Sequence, residues 1–344
     1  MKLGDLSVSY ISIVLKAMHE LGYNADDILK KFLLSKESLS SPDARVSIAK
    51  FMRLGHACIC KSNTPWFGLL MGKVTSPNQL GFAGLIADSS NNIEQACHNL
   101  ITYEVLNKYN IRGQSRFNEP LVGDKQVSTL RGIMQFYSIA PYNDYNYFVV
   151  DSIIAGWYQI ITSLCERNDA IEKVCFEFPA PKYEKKYQEY FNCQVLFSQS
   201  NNYLVIKEKA LSWPCKNSCS STNTLLKRYA DDELNKFQLG LNFQEKVSRA
   251  IGPLLNGTTP TLERVAEQLN IPPWTVRRKL IDDGSSYQQT LNITRKELAI
   301  SYICNTSLTL GEIAYLLGFG SPTAFQRAFK RWTGVAPGQF RQLN

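Results

Sequence analysis

Histidine is scarce in this chain: His19, His56 and His98 are the three among 344 residues. No Gly-x-Ser-x-Gly elbow accompanies them, so the sequence does not point to a Ser/His/Asp hydrolase, and each is read as an ordinary helix residue. A run of about 18 uncharged apolar residues is also missing, so no membrane span is expected. The opening stretch MKLGDLSVSYIS has one Lys, an early Asp5 and no small-residue cleavage site, unlike a secretory signal. Nine cysteines, an odd number scattered along the chain, argue against a disulfide framework and for a reducing cytosol. Cys58-x-Cys60 lies in a helical segment, where i and i+2 point apart. Cys215-x3-Cys219 has better spacing but needs two further ligands, so neither a metal nor a cofactor is assigned.

Charge of one sign is in small excess. The net charge is +8, a mild lean toward anionic partners that is far too low for a general nucleoid-binding protein. Its distribution says more. Thr258–Asn344 holds ten basic and six acidic residues, so half of the excess sits in about a quarter of the length. Two basic clusters stand out there, Arg277-Arg278-Lys279 and Arg327 with Lys330-Arg331.

These clusters belong to an internal repeat. With an offset of 48, Leu262, Val265, Ala266, Leu269 and Ile271 match Leu310, Ile313, Ala314, Leu317 and Phe319. One residue is then inserted. With an offset of 49, Val276, Arg278 and Leu280 match Phe325, Arg327 and Phe329. In each copy a first helix carries apolar residues at i, i+3, i+4 and i+7, including a small residue that lets a second helix approach. Asn270 or Gly318 then supplies a turn, since both types tolerate a left-handed backbone. Pro273 or Ser321-Pro322 opens the second helix. Its outward face carries Trp274, Arg277, Arg278 and Ile281 in one copy, and Thr323, Gln326, Arg327 and Lys330 in the other. Gln and Arg can bond bidentately to adenine and guanine edges, and Thr offers a methyl and a hydroxyl. Lys279, Lys330 and Arg331 are read as phosphate contacts. Thr275 and Ser321 complete the expected DNA-binding set. The segment between the copies, Tyr287–Cys304, is free of Pro and Gly and places Leu291, Arg295, Leu298 and Tyr302 at helical spacing. As a helix it would span about 27 Å, enough to hold two reading helices about 34 Å apart, one turn of DNA.

The stretch IAYLLGFGSPTAFQRAFKRWTGVAPGQFR, 313–341, closely resembles the signature of the AraC/XylS family of bacterial transcription regulators. Ala314, Gly318, Phe319, Ser321, Phe325, Arg327, Phe329, Lys330, Gly334, Pro337, Phe340 and Arg341 fall at its fixed offsets. The resemblance, over about 243–341, implies sequence-specific binding of double-stranded DNA through two helix-turn-helix units, with RNA polymerase admitted as a further partner. One departure lies at Pro272, where the first unit of the family often has a Ser N-cap. Residues 68–89 and 176–211 resemble the larger, arabinose-binding-like sensor domain of one branch, which implies an effector-binding or dimerisation role.

The expected fold is therefore an α+β effector/dimerisation domain at 1–211, a linker and connecting helix at 212–240, and an all-α DNA-binding domain at 241–344. Amphipathic helices are expected over Val8–Leu21, Asp43–Lys61 and Asn92–Tyr109, and a long apolar helix over Tyr145–Cys165. Strands are expected over Gln126–Tyr137 and Cys175–Phe178, with a hairpin from Cys193–Phe197 and Tyr203–Ile206. The polar stretch from Ser212 reads as the linker, and Lys182–Tyr190 as a solvated helix face. The aromatic run that includes Tyr137, Tyr145 and Trp157 is either core packing or the lining of an apolar effector pocket. A cytoplasmic, homodimeric regulator, an activator or a repressor, responding to an unidentified small molecule, is the function expected. The alternative is a DNA reader fused to an enzyme or to a metal- or redox-sensing domain, for which no Pro-Cys-His-Arg acceptor or four-Cys site is found.

Overall fold

The computed structural model describes residues 4–343, apart from 33, 35–38, 40–43, 111–112, 119–130, 139–146, 241–242, 256 and 306–307. Strand β1 (Gly4–Ser7) is the centre of a small antiparallel sheet, with β2 (Arg45–Ser47) and β3 (Lys108–Asn110) on either side. Helices α1 (Ser9–Glu20), α2 (Asp26–Lys31), α3 (Ile48–Ser62) and α4 (Phe67–Val74) enclose a core with this sheet around Ile11, Val14, Met18, Leu54 and Phe67. Helix α3 starts where it does because the Ser47 hydroxyl accepts from the Lys50 N–H, satisfying one orphan donor of its first turn.

A larger core follows. It is built from α5 (Gly81–Asp88), α6 (Ile93–Thr102), α7 (Tyr147–Cys165) and a five-stranded sheet. The strands are β4 (Gly113–Phe117), β5 (Ile133–Ser138), β6 (Ile171–Cys175), β7 (Gln194–Leu196) and β8 (Asn202–Ile206), in spatial order β4-β5-β8-β6-β7. Helix α8 (Glu184–Tyr190) and the short α9 (Glu208–Leu211) flank it. Met134, Phe136, Val174 and Leu204 pack in one core with Ile154, Trp157 and Ile161 of α7. By length and hydropathy α7 could cross a bilayer, but 67% of its apolar window is buried inside the fold, and Asp151 lies within it. It serves as the core helix of this domain.

The C-terminal elements are all helical: α10 (Ser220–Gly240), α11 (Phe243–Leu254), α12 (Leu262–Gln268), α13 (Pro273–Asp282), α14 (Tyr287–Asn305), α15 (Leu310–Leu316), α16 (Pro322–Thr333) and α17 (Pro337–Leu343). From α11 onward they share their own core, centred on Ile251, Val265, Leu280, Leu298, Ile313, Phe325 and Phe329. The α+β then all-α order matches the sequence reading.

Several local expectations need correction. The helix expected over Asp43–Lys61 is preceded by β2, and Asp43 lies outside the described residues. The helix expected to reach Tyr109 stops at Thr102, and Tyr109 pairs with Asp5 in the small sheet. The strand expected at Cys175–Phe178 instead ends at Cys175. Residues 126–130 of another expected strand, and Tyr145 of the long helix, fall outside the described residues. β7 and β8 are not a hairpin: β6 lies between them, parallel to β7 and antiparallel to β8. The stretch from Ser212 is not a free linker. Trp213 O accepts from the Ile93 N–H, the Lys216 N–H donates to Leu164 O at 2.7 Å, and Asn223 Nδ2 donates to Ile86 O at 2.8 Å. These bonds hold 213–223 against the first domain. The Lys182–Tyr190 run has one buried face, because Tyr187 enters the core and the Tyr190 hydroxyl donates to Ala155 O at 3.0 Å.

Tyr187 reaches Asp151, which is fully buried on α7. The Tyr187 hydroxyl donates to Asp151 Oδ1 at 2.8 Å, and Oδ2 has no hydrogen-bond partner. Burial pushes this carboxyl up to about 8, against a smaller lowering by the Tyr187 bond. A raised folded-state pKa means that the protonated acid is the stabilising form. Its contribution is complete below the unfolded carboxylate range and is lost as pH rises toward 8. Asp151→Asn stays neutral at every pH. Its stability relative to the wild-type chain should therefore climb by about 1.4 kcal/mol per pH unit between about pH 5 and 7.5. Denaturant melts at three pH values measure this, and a pH-independent difference would mean that Asp151 titrates as an exposed acid does.

Candidate DNA-binding surface

Each repeat folds as two helices joined by a tight turn. Helix α12 is capped by Thr261, whose side chain accepts from the Arg264 N–H. It ends at Asn270 in the left-handed region, with the Ile271 N–H returning to Ala266 O. Helix α13 then opens on the Pro272-Pro273 pair, with Pro272 extended as N-cap and no side-chain cap. Val276 and Leu280 bury its inner face.

The second copy is better capped. Thr309 and Glu312 form a capping box on α15: the Thr309 hydroxyl accepts from the Glu312 N–H, and the Thr309 N–H donates to Glu312 Oε2 at 2.7 Å. Those bonds from Thr309 hold the Glu312 carboxyl below its usual range. Ser321 caps α16 by accepting from the Ala324 N–H at 3.2 Å, Pro322 fills the first helical position, and Gly334 ends the helix in the left-handed region. Phe325 and Phe329 are fully buried.

The sequence-expected contact residues fall on the outer faces. Trp274, Arg277, Arg278 and Lys279 on α13 are exposed, and Thr275 is half-buried. On α16, Thr323, Gln326, Arg327, Lys330 and Arg331 are exposed, and Ser321 is exposed with its hydroxyl engaged as cap. Trp274 is 64% exposed, with the Arg278 guanidinium 5.4 Å from its ring centre. Lys279 is directed instead toward Phe243, 5.3 Å from that ring. The two outer faces thus carry a cationic, hydrogen-bonding row each, backed by apolar rows that cannot leave the core.

Sequence reasoning placed Arg295 on the inner stripe of α14 without giving it a task. It is buried, and it donates from Nε to Leu317 O at 2.7 Å and from Nη2 to Gly318 O at 2.8 Å and Thr259 Oγ1 at 2.7 Å. The only hint in the sequence is an arginine among apolar residues at core spacing.

Of the expected effector residues, the two that are described, Tyr137 and Trp157, are not brought together. Trp157 lines a cavity of about 60 Å³ with Tyr10, Ile13, Met71, Leu100 and Glu104. Tyr137 lies elsewhere, because residues alternate along β5 and its neighbour Phe136 faces the core. The Tyr137 hydroxyl instead donates to Pro253 O, in the last turn of α11, at 2.8 Å. Tyr145 is outside the described residues.

Comparison with known proteins agrees with this geometry. Residues 22–215 match the N-terminal arabinose-binding domain of AraC transcription regulators, and residues 265–343 match a helix-turn-helix domain. The chain is 28% identical over 338 residues to the ornithine utilization regulator of Pseudomonas aeruginosa, covering 97% of this chain and 96% of that one. It is 22% identical over 329 residues to the regulator VirS of Mycobacterium tuberculosis, covering 94% and 92%. A shorter match, 39% over 82 residues, joins it to the regulator VqsM of Pseudomonas aeruginosa, covering 24% and 25%. With the first domain match alone spanning more than half of the chain, and the paired helix-turn-helix units behind it, this chain belongs to the AraC family of DNA-binding transcription regulators.

Proposed function

We propose that the chain reads a specific DNA site with α13 and α16 together, and that a small molecule bound by residues 1–211 controls that reading in a cytoplasmic homodimer. The observation that carries this is the pairing of two exposed cationic faces, Arg277/Arg278 and Gln326/Arg327/Lys330, on helices whose opposite faces are buried in one core. In this reading residues 212–240 connect the domains, 241–344 bind DNA, and promoter-bound protein activates through RNA polymerase. The Tyr137–Pro253 bond supports communication, since it joins the sheet of the first domain to the helix preceding the first reading unit.

Arg327 is the residue assigned to base reading and Lys330 to phosphate. Arg327→Ala should cost about 1–3 kcal/mol at one base position, whereas Lys330→Ala should weaken all sequences more evenly and flatten the salt dependence. Equilibrium binding to a set of single-base operator variants separates the two. If Arg327→Ala leaves base preference intact, the assignment of α16 is wrong. One protomer should protect two major-groove segments about 10 bp apart. Footprinting that finds one short segment would leave only a single unit reading DNA, and would point to the Pro272-Pro273 turn.

For the sensor, we place the effector at the Trp157 cavity, which must widen beyond its present volume of about 60 Å³ to admit a metabolite. A ligand at 100 times its Kd should stabilise the native chain by about 2.7 kcal/mol. A thermal-shift panel of small metabolites, with ornithine included because of the Pseudomonas relative's name, tests this on the full chain. Ala83→Val, which adds two methyl groups to the cavity wall, should abolish the shift. A shift that survives Ala83→Val would put the effector at another site.

A further inference from the structure

We propose that Arg295 is the positioning residue that fixes the spacing at which the two reading helices meet DNA. The proposal rests on the reading that both α13 and α16 engage DNA, and extends it to what sets their separation.

Arg295 sits in the middle of α14, the helix that connects the two units, and is 6% exposed. Its fork reaches two places at once. One is the turn of the second unit, through Leu317 O at 2.7 Å and Gly318 O at 2.8 Å. The other is the loop just before the first unit, through Thr259 Oγ1 at 2.7 Å. Thr259 closes the triangle by donating its hydroxyl to Gly318 O at 2.9 Å. The guanidinium also lies 4.6 Å from the ring centre of Phe319, the residue after that turn. Eight residues before Arg295 on the same helix, Tyr287 lies about two turns away, and its hydroxyl donates to Pro260 O at 2.7 Å, so the loop is held at two points.

Backbone packing at this junction is close. Gly318 has φ +67, and a Cβ there would stand 2.4 Å from Thr258 O. The turn of the second unit therefore rests directly on the loop that leads into the first. Helix α12 begins at Leu262 and α16 at Pro322, each within a few residues of the clamp. A shift of the clamp would be carried to α16 directly and to α13 through α12, with which α13 shares a core.

The choice of residue supports a geometric role. A buried guanidinium is costly unless its donors are satisfied, and an apolar side chain of similar volume often fills such a site with equal or better stability. Leu291 and Leu298 occupy the same buried side of this helix. What Arg adds is a planar fork whose bonds are met in one arrangement only.

The test uses the full chain and an operator duplex selected from a random pool with the wild-type protein. One or two base pairs are then inserted or removed between the two protected segments. The wild-type chain should lose tenfold or more in affinity per altered base pair. Arg295→Met should bind the operator with discrimination reduced to about threefold or less. Arg295→Lys, which keeps the charge but cannot form the fork, should also relax the spacing preference. Thr259→Val leaves α14 untouched and removes the hydroxyl bridge, so it reports on the clamp even if Arg295→Met does not fold. Folded variants that keep the wild-type discrimination overturn the proposal. A wild-type chain indifferent to spacing would instead overturn the two-reader reading on which it rests.

Discussion

The close approach of α4 to α7 is the constraint on which the first domain depends. A Cβ at Gly68 would stand 2.4 Å from Phe148 O, and one at Gly72 would stand 2.2 Å from the Ala155 Cβ. The two helices therefore touch backbone to backbone, and only glycine permits it. This contact lets α7 serve both cores: Phe148 packs among α1, α3 and α4, while Ile154 and Ile161 pack with the larger sheet. The cavity bounded by Trp157 and Met71 lies where the two cores meet, so a ligand there would touch elements of each.

The second domain is built on one shared apolar core, and its two units differ in the polar groups that cap their helices. Helices α13 and α16 have matched apolar faces, yet they start differently. Ser321 gives α16 a side-chain cap, a contribution of about 1 kcal/mol, and the capping box on α15 secures the helix before it. Pro272-Pro273 gives α13 a fixed backbone and no such cap. Helix α13 instead presents Trp274 with Arg278 beside its ring, a broad apolar and cationic surface. The two units are thus similar in scaffold and different in what they offer to a groove.

The DNA-binding half was legible because its signals are local. A 3.6-residue apolar period, a left-handed turn residue and a Pro or Ser at the next helix start all lie within twenty residues, and the repeat supplied each of them twice. The first domain was harder. The β7–β8 hairpin was expected because adjacent strands usually pair, and nothing in either strand reveals that β6 lies between them. Tyr187 looked like part of a solvated face because its neighbours Lys185, Lys186 and Glu189 are charged; only the partner on α7 shows which side is inward. Tyr137 and Trp157 were grouped by their aromatic character, and the strand's alternation sends one toward Pro253 and the other to the cavity. Arg295 was visible at a core position, but its partners come from 259 and 317–318, and sequence spacing does not connect those to it.

The strand order has a consequence for how the chain is made. β8 is the last strand synthesised and lies in the middle of the sheet, bonded to β5 on one side and β6 on the other. Until Ile206 has left the ribosome, β4-β5 and β6-β7 are separate pairs, and the apolar α7 has no complete sheet to cover it. Such long-range closure is slow and leaves apolar surface open to aggregation while it waits. The segment 213–223 follows β8 and bonds to Ile86 of α5, Ile93 of α6 and Leu164 of α7. The second domain has no such wait, since its contacts lie mostly between neighbouring helices. The first domain is therefore the part of this regulator whose folding is most exposed to aggregation, although it is the first to be translated.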